Sequence, residues 1–421
     1  MSSELRKKIL FTLFILLIYR IGTFIPLPGI NSEILVEFFK SSSNSVFSMI
    51  NMFSGGAFQR MSIFALNIMP SITASIIIQL LASVYKGLED LHKEGEAGKR
   101  KINQYTRYLT LILGFFQSLA IYYTFLNMEK SVFISASKVF LWTTVFTLLA
   151  STMFLMWLGD KITNHGIGNG ISLIIAVGIV SEIPGDLLRI FRMPETGAYS
   201  WVFVCGLLAL LAFLICFVVF VEKSTRNVRV QYSNRIIAKG QNAPTSFIPL
   251  KLNMSGVIPP IFASSVLMFP IIILQFFNNN ALAQRFTSFV SRGNIIYTII
   301  FSALIIFFSF FYSSIVFNIE ELGENLKKSN CFVVGIRPGK NTVDYFAEIV
   351  NRLTLIGAFY LILVCVIPDI IFSKYSIQIS LGGTSLLIIV STVIDLIAQA
   401  QSYTFSERYN SVNKQRKIRV R

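Results

Sequence analysis

Long apolar runs separated by short polar stretches set the rhythm of this chain. Ten runs read as transmembrane helices, at residues 9–27, 66–84, 108–126, 139–159, 171–183, 201–221, 254–276, 295–317, 353–367 and 381–394. A helix needs about 20 mostly apolar residues to cross the hydrocarbon of a bilayer. The third, fourth, sixth and eighth runs carry no charged residue. The fifth, ninth and tenth are shorter or interrupted. Glu182 and Pro184 close the fifth, Arg352 opens the ninth and Asp395 ends the tenth.

The second run departs from a lipid-facing pattern. Asn67, Pro70, Ser71, Thr73, Ser75 and Gln79 interrupt its Ile and Leu, and polar groups at membrane depth are tolerated mainly where they face protein or water. Just before it lies a short Gly-Gly stretch, 54–60, too short and too polar to span. A broken segment feeding a polar-faced span is one way to line a cavity near mid-membrane, and an ordinary packed span after a loop is the alternative.

Composition agrees with the pattern. Of 421 residues, 54% are hydrophobic and 14% charged, against about 25% charged in soluble domains. The 39 Phe and 15 Tyr suit a lipid-immersed surface. The basic lead 1–8 runs into apolar sequence without a small-residue cleavage site, so the first span is expected to stay as an anchor.

Charge then orients the spans. The segments 1–8, 86–107, 160–170, 222–251, 318–348 and 400–421 hold 26 Lys and Arg, and the alternating set 28–65, 127–138, 184–200, 277–294 and 368–380 holds 9. Basic connections resist translocation, so both termini are expected on the cytoplasmic side. Much of the net charge of +16 is this bias. The long basic loops on that face suit anionic lipid, RNA phosphate or an acidic protein surface. Five spans before residue 200 and five after it suggest two inverted halves, as in many transport folds.

Catalytic chemistry finds no footing here. Cys205, Cys216, Cys331 and Cys365 are scattered without metal-like spacing, and His92 and His165 stand apart. No GxxxxGK[S/T] loop is present. The expectation is a non-enzyme without a cofactor.

Seven blocks in order along the chain are recognisable: RIGTFIPLPGI at 20–30, NMFSGGAFQRMSIFALNIMPSITASIIIQLL at 51–81, MWLGDKITNHGIGNGISLII at 156–175, IPLKLNMSGVIPPIFASS at 248–265, VVGIRPGKNT at 333–342, RLTLIGAFYL at 352–361 and GGTSLLIIV at 382–390. Together they closely resemble the SecY family, the pore subunit of the bacterial preprotein translocase. The resemblance implies an all-α polytopic protein whose ten helices form two inverted halves, 1–200 and 201–399, around an hourglass pore, followed by a basic tail, 400–421. It implies a protein-conducting channel that moves unfolded secretory proteins and releases membrane helices sideways into lipid. Its constriction would be an aliphatic ring at Ile68, Ile72, Ile171, Ile175, Ile261 and Ile388. A plug at about 51–62 would include Ser54, Gly55, Gly56, Ala57 and Phe58. The two glycines would let it rest in the funnel with little side-chain packing.

By the same resemblance a lateral gate between spans two and three and spans seven and eight would carry Thr73, Gln79, Asn253 and Phe269. The Pro259-Pro260 pair would weaken the seventh helix near that seam. Arg337, with Arg229, Arg235, Lys239 and Lys251 as further contacts, would meet a SecA-type motor ATPase or the ribosome, including its RNA phosphates. SecE-like and SecG-like small subunits, signal sequences and nascent chains complete the implied partners. The implied location is the bacterial inner membrane. A secondary transporter of a small solute, or a membrane scaffold exposing a groove without conducting, remain the competing readings. A solute transporter would need polar groups at the midplane, where this chain offers isoleucine.

Overall fold

In the computed structural model of the chain, residues 3–30, 51, 54–128, 138–195, 199–232, 245–275, 294–329, 331–337, 339–375 and 382–419 are described. Among these residues twelve helices and three strands follow in order: α1 (Ser3–Gly22), α2 (Met69–Val84), α3 (Lys86–Lys93), α4 (Glu96–Met128), α5 (Lys138–His165), α6 (Gly170–Arg192), α7 (Trp201–Lys223), β1 (Thr225–Tyr232), β2 (Thr245–Lys251), α8 (Ile258–Gln275), α9 (Ile295–Val316), α10 (Ile319–Lys328), β3 (Cys331–Val333), α11 (Lys340–Lys374) and α12 (Gly383–Arg419). All except α3 and α10 fall on the expected spans, one each. Among the described residues six apolar stretches, in α5, α6, α7, α9 with α10, α11 and α12, are long and apolar enough to cross a membrane by length and composition, and Met69–Val84 and Ile258–Met268 are shorter apolar helices.

Helix ends are set by local chemistry. Asn169 caps α6 by accepting from the backbone N–H of Ile171 and Ser172, and Ser200 caps α7 by accepting from Val202. Each supplies an oxygen to amides that have no partner inside the helix. Pro70 sits at the start of α2, where its missing N–H costs nothing.

Several expected boundaries move. The fifth span does not stop at Glu182 and Pro184, since α6 runs through Pro184 to Arg192. The neighbouring turns support a proline inside a membrane helix. The ninth begins at Lys340, well before Arg352, and the tenth continues past Asp395 to Arg419. In the ninth an amphipathic stretch precedes the apolar part and in the tenth a polar one follows it, and hydropathy alone registers neither. Pro259 and Pro260 fall in the first turn of α8, where a proline is favoured, so the expected weakening at that pair does not arise. The interior proline of α8 is Pro270.

The long basic loops also hold structure. β1 pairs antiparallel with both β2 and β3, with Val228 opposite Ile248 and Val230 opposite Val333. Val228, Val230, Leu250, Cys331 and Val333 form the inward face, packed on Phe346, Ile349 and Leu353 of α11. Asn227 and Arg229 alternate outward between them. This small sheet stands on a helical body and was not expected.

The helices pack in two groups. In the first, α2 packs on α4, α4 on α5 and α5 on α6, and in the second α8 packs on α9 and α9 on α11. The groups meet where α8 touches α2 and α4, and again where α12 touches α6 and α1. The α5–α6 turn binds outward at both sides. Ile167 donates its N–H to Thr12 of α1 at 3.1 Å, and Gly168 donates to Gln399 of α12 at 2.8 Å. Beside them Lys8 lies over the ring of Tyr403, 4.1 Å from its centre. Large apolar side chains such as Phe213, Phe220, Phe307 and Phe359 are exposed around the outside, where a bilayer would cover them.

Candidate functional site

Four helix beginnings converge on the main core. Ile68 and Ile72 lie at the start of α2, Ile171 and Ile175 in the first turns of α6, Ile261 in the first turn of α8 and Ile388 in the second turn of α12. Residues four apart share a helix face, so each pair presents together. Ile68, Ile72, Ile175 and Ile388 are buried members of one cluster, and Ile171 and Ile261 pack against it half-buried. All six expected positions are therefore brought to the same core.

The hydroxyls beside them turn back on their own helices. Ser71 bonds to the Ile68 carbonyl at 2.8 Å, Ser264 and Ser265 to that of Ile261 at 2.8 Å, and Thr392 to that of Ile388 at 2.6 Å. These contacts consume nearby donors and leave aliphatic surface between the helices. Such a surface offers a passing peptide no lasting hydrogen bond and holds back hydrated ions by dewetting.

The segment 54–62 fills the same cluster from one side. It is a run of hydrogen-bonded turns in which Ala57, Phe58 and Met61 are at most 1% exposed. Gly55 and Gly56 have positive φ. The expectation of little packing needs correction. A Cβ on Gly55 would meet the Gly178 backbone of α6 at 2.7 Å, so glycine here permits one backbone to lie against another.

Both ends of the segment are tethered. After it, Leu27 donates its N–H to the Met61 carbonyl and Ile63 donates to Ile25, with an isolated antiparallel bridge between Pro26 and Ser62. Before it, Asn51 accepts from the N–H of Gln59 and donates its amide to Glu182 of α6 at 3.1 Å. Arg20 of α1 donates to the Gly55 carbonyl at 3.2 Å. Arg20 and Arg60 both stack on Phe24. Arg20 and Asn51 were not singled out from sequence. Glu182 was visible only as an isolated acid in an apolar run, a pattern that does mark functional positions.

The residues expected along the seam are placed differently from one another. Thr73 bonds to the Met69 carbonyl of its own helix, and the buried Gln79 Oε1 has no hydrogen-bond partner among the described residues. Asn253 donates to Glu222 at 2.8 Å and to the Gly256 carbonyl at 3.0 Å, and accepts from Ser255. Phe269 falls on α8, but its side chain lies outside the described residues. Gly357 of α11 lies against Asn253 with room for no bulky group. Replacing Asn253 by leucine is expected to destabilise the protein by about 2 kcal/mol, because the nearly buried Glu222 carboxyl loses its donor. Thermal melting in detergent checks this.

On the sheet side, Arg337 is exposed, with its carbonyl accepting from Thr342 Oγ1 at 3.0 Å. Arg229 is exposed over Phe247, and Lys251 lies 4.0 Å from Asp395. All three side chains are exposed. Arg235 and Lys239 lie outside the described residues. Among the described residues no group of His, Cys, Asp and Glu is placed to hold a metal.

Apolar helices in two groups, an aliphatic core where four of them begin, and a tethered segment filling that core define a polytopic membrane protein of the channel type. The SecY family model matches residues 62–397. The chain is 47% identical to the protein translocase subunit SecY of Rickettsia typhi, over 99% of this chain and 98% of that one. It is 43% identical to that of Escherichia coli K12, over 99% and 96%. This chain belongs to the SecY family. Its fold matches a solved protein-conducting channel with a TM-score of 0.72, covering 97% of this chain and 94% of that one at 16% identity. It also matches Sec61 of the canine ribosome-channel complex from the endoplasmic reticulum, at 0.67, with the same coverage and 17% identity.

Proposed function

We propose that this chain is the channel subunit of a protein translocase, passing unfolded polypeptide across the membrane and releasing apolar helices sideways into lipid. The observation that carries the reading is the meeting of six isoleucines from four helices in one core. There Ile68, Ile72, Ile171, Ile175, Ile261 and Ile388 act as the constriction. The segment with Ser54, Gly55, Gly56, Ala57 and Phe58 acts as the plug on the outer side, and α2 and α4 against α8 act as the lateral gate.

The inner face carries the sheet with Arg229, Lys251 and Arg337, which supports docking of a SecA-type ATPase or a ribosome that supplies the energy. SecE-like and SecG-like subunits would brace the helices. Both termini lie on the cytoplasmic side of a bacterial inner membrane, with the basic connections on that side. A small-solute transporter fits less well, because the core offers such a solute aliphatic carbon.

A photo-crosslinking side chain at Ile72 tests the reading, with a secretory protein stalled halfway through membranes that hold the complete translocase. Adducts to the stalled chain are expected at Ile72. They should be missing at Phe307, which is 55% exposed on the outer wall. Translocating membranes with adducts at neither position would refute the constriction.

A further inference from the structure

Asn51 organises the turns that follow it. Its backbone carbonyl accepts from Ser54 Oγ and from the N–H of Gly56, and its side-chain oxygen accepts from Gln59. Asn51 Nδ2 donates to Glu182 Oε1 and so joins this unit to α6. Gly56 makes room for it, since a Cβ there would come within 3.2 Å of the same carboxyl oxygen. On the other side Arg20 holds the Gly55 carbonyl, and Arg20 and Glu182 attract each other electrostatically. We infer that Glu182 is the catch of the resting plug, a positioning residue that ties Asn51, and through it the whole segment 54–62, to α6.

The inference rests on reading that segment as the plug, and adds to it how the plug is released. Glu182 shares α6 with Ile171 and Ile175. From Ile175 to Glu182 is about two helical turns, roughly 10 Å along the axis. A polypeptide that spreads the constriction must shift the first turns of α6, and a stiff helix carries that shift to Glu182. An N–H···O contact weakens steeply with misalignment and with a few tenths of an ångström of stretch. Widening of the constriction and loss of the catch are therefore one movement of one helix. Hydrogen bonds at the other end, from Leu27 to the Met61 carbonyl and from Ile63 to the Ile25 carbonyl, stay with the chain that follows α1. The segment swings from that end when the catch opens.

Resting ion conductance of the complete translocase in planar bilayers tests this, with translocation of a normal preprotein as the check that each variant is assembled. E182A and N51A are each expected to raise resting conductance about tenfold, the shift that follows from losing one hydrogen bond to a charged group. The double variant should leak no more than N51A alone, because both substitutions remove the same bond to Glu182 and N51A additionally removes the acceptor of the Gln59 N–H. E182Q keeps an oxygen that can accept from Asn51 and should stay close to the parent protein. Wild-type conductance in E182A, full additivity in the double variant, or E182Q as leaky as E182A would each overturn the catch. Deletion of 54–62 separates the two readings. If the deletion leaks and E182A does not, the plug stands and the catch falls. If the deletion leaves conductance unchanged, the plug reading fails and the catch fails with it.

Discussion

A methyl group at Gly170 is expected to cost the protein about 3 kcal/mol or more, the upper end of overpacking penalties, and to lower its accumulation in membranes sharply. Gly170 is the first residue of α6, and its missing Cβ points at the backbone carbonyl of Gly159 on α5. An added carbon would overlap that carbonyl and neighbouring backbone atoms. A flexible side chain could move aside, but two packed helices have to separate. Gly383 repeats the situation at the start of α12, where the obstacle is the Val364 carbonyl of α11. Both alanine variants should melt at lower temperature in detergent than the parent protein. Gly206, on α7, has open space where its Cβ would be. Alanine there should be neutral or better, by up to about 1 kcal/mol from helix propensity. Equal melting of all three variants would refute the close approach of α5 to α6 and of α11 to α12.

Lysine at Ile388 is expected to turn the resting protein into an ion leak. Ile388 is 1% exposed in the core where α2, α6, α8 and α12 meet. An ammonium cannot stay there dry, since removing a charge from water costs several kcal/mol even after relaxation. The site must therefore admit water and counterions or push its helices apart. Conductance of reconstituted channels without substrate should rise at least about tenfold on the same reasoning, because dewetting no longer bars hydrated ions. Valine at this position removes one methylene, costs about 1 kcal/mol and should leave the channel closed. A lysine variant that is assembled, active and as tight as the parent would place the constriction elsewhere.

The spans were legible because hydropathy needs only composition over about 20 residues. The polar positions of the second run pointed to its unusual place, and the collinear blocks placed the six isoleucines. What stayed hidden has specific causes. In β1 the alternation of Val228 and Val230 with Asn227 and Arg229 has the period of a strand, but the arginines of this stretch also satisfy the positive-inside pattern, which hides it. Glu182 and Pro184 resemble helix terminators when read singly. α6 continues because its neighbours bury one side and Asn51 meets the acid. The pairing of Glu222 with Asn253, 31 residues apart, leaves no local trace. Nor does the contact of Gly55 with Gly178, since glycine in sequence announces freedom of φ and says nothing about a second backbone lying against it.

The amide of Gly168 is satisfied by Gln399, and Tyr403 lies under Lys8. Together with the bond from Ile167 to Thr12, these contacts join α1 and α12 to the turn between α5 and α6. A chain made from its N-terminus at about 5–20 residues per second has completed α1, α5 and α6 long before α12 exists. During that interval the N–H of Gly168 and the flank of α1 lack the partners they end with. Synthesis of α12 supplies them, so the first helix of the bundle finds its final neighbours only when the last one arrives.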